Sequence, residues 1–73
     1  MRTRFIVGDV EARRQTQDAF LCSLRWDDAG YAASNLWIPL SCIHDTYHDE
    51  IEEACEGDII EIGVAEWWLK KNL

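Results

Sequence analysis

The sequence predicts an α+β fold: a small, partly open, barrel-like antiparallel sheet of about four strands, with one short acidic helix and a C-terminal helical turn. Three observations predict it. Four short segments are apolar or alternate with period two and carry many β-branched residues. Clusters of Asp, Gly and other polar residues separate them, and a single segment places its apolar residues at helical spacing. Short strands, tight turns and a terminal helix suit the size range of SH3-like and OB-like barrels.

The elements follow in order. Phe5 to Ala12 alternates loosely and reads as a first strand that bends near Gly8. Arg13 to Asp18 is polar and reads as a turn. Ala19 to Trp26 suits a central strand, with Phe20, Cys22 and Leu24 on one face, and it stops at the turn-forming Asp27-Asp28-Ala29-Gly30. Asn35 to Ile43 reads as a third strand, in which Pro39 marks an edge or a bulge because it has no N–H for the ladder. Tyr47, Ile51, Ala54 and Cys55 fall at i, i+4, i+7 and i+8, which predicts a helix over about 46–55, capped by Thr46 or Asp45 and ended by Gly57. Ile59 to Val64 alternates into a fourth strand, and Ala65 to Leu73 closes the chain as a helical turn or two with Lys70 and Lys71 at the favourable end of the dipole. With 73 residues, of which 48% are hydrophobic, the chain is read as a single domain, 1–73, too apolar for a disordered acidic tail.

Charge is the main functional signal. Fourteen acids oppose seven Lys and Arg, for a net charge of −7. Residues 1–25 hold five Arg and three acids, whereas residues 26–69 hold eleven acids and no Lys or Arg. Asp45, Asp49, Glu50, Glu52, Glu53, Glu56 and Asp58 crowd into the fifteen residues from His44 to Asp58, with Asp27, Asp28 and Glu61 as a secondary set. Such a surface repels nucleic acid and attracts basic protein surfaces, including those that bind nucleic acid. The plainer alternative is a solvated face that keeps a small domain in solution. Against it, a helix here would stack Asp45–Asp49, Asp49–Glu53 and Glu52–Glu56 as like-charge i,i+4 pairs, each costing about 0.2–0.5 kcal/mol.

The run Trp37-Ile38-Pro39-Leu40-Ser41-Cys42-Ile43, followed by an acidic spacer, a strand and Glu66-Trp67-Trp68-Leu69-Lys70-Lys71-Asn72-Leu73, resembles small uncharacterised proteins of bacteriophages, plasmids and prophages. Those proteins pair a W-[IL]-P-x-S motif with a C-terminal E-W-x-x-x-K-x-L motif. In that group Lys often follows the Pro and the strand before the terminal helix often ends in Pro, where this chain has Leu40 and Ala65. The resemblance implies a mobile-element accessory protein with a small β-rich fold and brings no catalytic residues with it, while the unpaired cysteines point to the reducing cytoplasm of a bacterial host cell. Within the motifs, Trp37, Pro39 and Trp67 are expected to be structural, the two tryptophans as core anchors. The alternative role for the tryptophans is a stacking platform for single-stranded nucleic acid, which needs a basic groove that only the N-terminal arginines are able to supply.

Enzymatic chemistry finds little support. His44 and His48 stand at i,i+4 with Cys42 or Asp45 nearby, but the H-D-T-Y-H run lacks the Glu that follows the first His in zinc proteases, so no metal site is assigned. Cys22, Cys42 and Cys55 are odd in number and form no C-x-x-C pair; they read as reduced, small, buried hydrophobes. There is no glycine-rich phosphate loop, no cofactor is implied, and no run of 18 apolar residues suggests a membrane partner.

The expected function is therefore non-enzymatic: an inhibitor of the anti-CRISPR or anti-restriction type. It presents a DNA-mimicking acidic surface to the basic nucleic-acid-binding surface of a host protein or complex. The alternative is an accessory barrel that binds a replication or recombination protein, either alone or as a homodimer, with Arg2, Arg4, Arg13 and Arg14 touching single-stranded DNA. Otherwise, direct nucleic-acid binding is disfavoured by the charge.

Overall fold

A computed structural model describes residues 2–73. Four antiparallel strands, β1 (Phe5–Gln15), β2 (Ala19–Trp26), β3 (Tyr31–Pro39) and β4 (Ile59–Ala65), form one sheet in the order β3-β2-β1-β4. Two short helices accompany it, α1 (His48–Glu53) and α2 (Glu66–Asn72). The α+β class and the four strands agree with the sequence. The sheet does not close, however. β3 and β4 are its opposite edges, and beyond β3 the chain reaches the free side of β4 only through an Ile43–Val64 bridge and the His44 N–H, which donates to the Gly63 carbonyl at 2.9 Å.

Strand β1 runs three residues further than its alternation suggests, because its ladder with β2 absorbs an irregularity between Ala12 and Arg14 and resumes at Arg14↔Leu21. The turn expected over 13–18 shrinks to three residues, held by Thr16, whose hydroxyl accepts the Ala19 N–H at 3.1 Å. Strand β3 begins four residues earlier than expected and stops at Pro39, after which Leu40–Cys42 form a 3-10 turn. Asn35, at φ +52°, is the extra residue of a bulge opposite Ser23, whose hydroxyl accepts its N–H at 3.1 Å. Asn is among the few side chains that enter that region readily.

One face of the sheet builds the core. Val10 and Ala12 of β1, Phe20, Cys22, Leu24 and Trp26 of β2, Ile38 of β3, and Ile62 and Val64 of β4 are buried on it, joined by Ile43, Ile51, Trp68 and Leu69 from outside the sheet. The core tryptophans are Trp26 and Trp68, not Trp37 and Trp67 as the motifs suggested. Trp37 is 44% exposed because Ile38 holds the inward position of β3, and Trp67 is 56% exposed because Trp68 and Leu69 take the buried face of α2. Pro39 is half-buried, at the end of an edge strand where its missing N–H costs little. Trp26 lies over Gly8, where an added Cβ would come within 2.5 Å of the indole, and its Nε1 donates to the Asp9 carbonyl at 2.8 Å. The bend expected near Gly8 is thus a close approach of an aromatic ring.

Candidate functional site

The acidic segment is built on one buried anchor. Asp45–Tyr47 form a 3-10 turn, capped by His44, whose Nδ1 accepts the Thr46 N–H at 3.1 Å, rather than by Thr46 or Asp45. His48 then opens α1 with its Nε2 2.9 Å from the Ile43 carbonyl and 3.0 Å from the Leu40 carbonyl, so this nitrogen carries the hydrogen and donates to both. These bonds tie the helix to the turn that follows β3. The two histidines therefore do backbone work, and no group of three metal-ligating side chains occurs among the described residues. Ile51, 1% exposed, plugs α1 into the core, and Gln15 Nε2 donates to the Glu52 carbonyl at 3.0 Å.

The helix is shorter than its apolar spacing predicts. It ends at Glu53, with Ala54 already extended, so Cys55 leaves the expected inner face and is exposed. Cys22 and Cys42 are buried as expected, and burial pushes the Cys22 thiol up to about 12, leaving it protonated and unreactive near neutral pH. Gly57 does not terminate the helix; at φ +93° it shapes the next turn, and its N–H donates to the Ala12 carbonyl at 2.7 Å. Asp58 belongs to the same turn, its carboxylate accepting the Cys55 N–H at 2.8 Å.

This geometry revises the electrostatics. Asp49–Glu53 is the one full i,i+4 like-charge pair inside α1; Asp45 lies in the preceding 3-10 turn, and Glu52–Glu56 straddles the helix end. With Ile51 pointing inward, the 100° step per residue places Asp49 and Glu53 on the opposite side of α1 and Glu50 and Glu52 on its flanks, all outward. Asp45, Glu56 and Asp58 are exposed as well. Among the described residues the ion pairs are Arg13–Glu11, Arg25–Asp27 and Lys70–Glu66, so none of the seven acids between 45 and 58 has a cation partner.

The solvent face of the sheet adds acids that the sequence reading passed over. Asp9 stands directly opposite Glu61 in the β1–β4 ladder, an unfavourable like-charge cross-strand pair, with Glu11 two residues along on the same face. Asp9, Glu11 and Asp27 line an open groove of about 660 Å³ across that face, with Arg25 as its cation. Asp28 is exposed beside it in the turn after β2. The signal was present in the sequence, since Asp9 and Glu11 alternate out of phase with the buried Val10 and Ala12. Tyr47 connects the two acidic regions, because its ring covers Gly63, which shares the outer face of β4 with Glu61.

No helix among the described residues is long and apolar enough to cross a membrane. Compared with known proteins, the chain matches no protein-family profile, no curated protein and no solved structure.

Proposed function

We propose that this protein is a non-enzymatic inhibitor carried by a mobile element. Its acidic surface occupies the basic nucleic-acid-binding channel of a host defence complex, of the CRISPR-effector or restriction type. The observation that carries the reading is that seven exposed carboxylates between Asp45 and Asp58 lack any cation partner among the described residues, on a segment anchored by Ile51. Duplex DNA carries about one charge per 1.7 Å of axis, so a length of roughly 25 Å offers about fifteen charges, about half of them on one side. Seven carboxylates are of the same order as the number on that one side. Asp9, Glu11, Asp27, Asp28 and Glu61 extend the anionic surface over the sheet.

The test is capture of partners from a bacterial lysate by the intact protein over a rising salt series, alongside a variant with Asp49, Glu50, Glu52 and Glu53 all changed to Lys. The reading expects a nucleic-acid-binding effector that is released by salt, is displaced by duplex DNA and is not captured by the variant. An effector held equally by both proteins refutes it.

A second reading, an accessory module for a replication or recombination protein, is favoured by edge strand β3. Its outer side has no partner strand among the described residues, and Tyr31–Pro39 contains no charged side chain. Unprotected edges of this kind invite strand addition, by another protein or by a second copy. Ser34→Lys places a charge on that exposed edge; loss of self-association or of partner capture in this variant alone would favour the second reading.

A further inference from the structure

The fold gathers cations around one exposed aromatic. Arg4 continues the β1–β4 ladder, its carbonyl accepting the Glu66 N–H at 2.8 Å, and this bond holds the N-terminal segment against the start of α2. Arg2, Thr3, Arg4, Glu66, Trp67 and Lys70 line a cleft of about 430 Å³. Three of the seven Lys and Arg residues of a chain with net charge −7 therefore meet at one half-exposed indole. The one acid in the cleft, Glu66, is partly neutralised by Lys70 at 4.0 Å.

We propose that this cleft binds single-stranded nucleic acid over one or two nucleotides, stacking an unpaired base on Trp67 with the adjoining phosphates on Arg2, Arg4 and Lys70. A volume that admits a nucleotide, an exposed aromatic side chain and three cations in its lining are what such a site requires. The rest of the surface limits the footprint: a strand long enough to pass the acids on the sheet face and at 45–58 is repelled, so short strands and free ends are preferred over duplex. The sequence leaves only the N-terminal arginines to supply a basic groove for the tryptophans, and the fold brings Arg2 and Arg4 into one cleft with Trp67, more than sixty positions away. This inference is independent of the inhibitor reading and uses none of its residues.

The experiment is a tryptophan-fluorescence titration of the full chain with a tetrathymidylate oligonucleotide at low ionic strength. Saturable quenching is expected, with affinity falling as roughly the second power of salt concentration for three phosphate contacts. Trp67→Ala should weaken binding roughly fivefold to a hundredfold, the range for losing one stacked base. Trp67→Phe should recover part of it, and Arg4→Gln and Lys70→Gln should each lower both affinity and salt dependence. Because Trp67 is exposed, the Trp67 variants should unfold at the wild-type temperature. Retention of Trp67→Ala on immobilised oligonucleotide with the wild-type affinity overturns the proposal. So does a protein that ignores the oligonucleotide but sediments with phosphatidylserine vesicles, since the cleft would then be a membrane contact.

Discussion

The acidic segment and the cationic cleft are put together in opposite ways. Glu52 to Asp58 lie by the far end of the eleven-residue β1, tied there by Gln15 and Ala12, whereas the cleft lies by its start at Arg4. The acids are neighbours in sequence, four of them on a six-residue helix with one buried side chain. The cleft draws on the two ends of the chain, and the β1–β4 ladder joins them. A contiguous charged segment keeps its charge however it folds, but a cleft made of distant residues exists only while the ladder is intact. The acidic surface should therefore survive local loosening that abolishes the cleft, and each should be removable without the other.

The largest effect expected from breaking this comparison is on partner binding. Changing Asp49, Glu50, Glu52 and Glu53 to Lys should cut capture of a basic partner about a hundredfold or more, as removing several complementary charges does. Oligonucleotide binding at Trp67 should be unchanged or improved; parallel loss of both activities would mean that the two regions are one site.

Next in size is the anchor. Ile51→Ala empties a fully buried position and should cost about 2–5 kcal/mol in urea unfolding, whereas Trp67→Ala should change stability by less than about 0.5 kcal/mol. A small cost at Ile51 would show that α1 is not needed by the core.

Gly63→Ala probes the joint between the acidic segment and the sheet. Its Cβ would come within 2.9 Å of the Tyr47 ring, so the ring must move, at a cost of about 1–3 kcal/mol. Faster amide exchange over 44–53, with exchange in β1 and β2 unchanged, is the expected signature; a uniform change would place the strain in the whole sheet.

The smallest effect has the opposite sign. Glu53→Gln removes the one like-charge i,i+4 pair inside α1 together with a carboxylate at the negative end of its dipole, and should stabilise the protein by about 0.2–0.5 kcal/mol at low salt, with the gain fading as salt rises. Combined with weaker partner capture, that gain would mark this acid as kept for binding at the expense of stability. If thermal unfolding shows a loss instead, the carboxylate supports the fold.

Much of the architecture was legible because it depends on local chemistry. β2 was bounded at both ends by its own alternation and by polar turns, and β4 and α2 were placed to within about a residue. Pro39 marked an edge or a bulge, of which the sheet realises the edge, and the exposure of the seven acids followed from the cost of burying charge. The misses fall where non-local contacts chose between local options. The choice of core tryptophans went to Trp26 and Trp68 because Ile38 takes the inward position of β3 and Trp68 and Leu69 take the buried face of α2, and nothing near Trp37 or Trp67 reports that phase. The premature end of α1 at Glu53 reflects the turn that Gly57 and Asp58 make against Ala12.

By itself the sequence determined composition, charge asymmetry and the period of each strand, because these are properties of neighbouring residues. Only the tertiary structure decided that the sheet stays open, that Asp9 faces Glu61 and that Arg2, Arg4 and Lys70 converge on Trp67. Register and chain crossing set those outcomes. Both are resolved by packing across tens of residues, where local propensity carries no information.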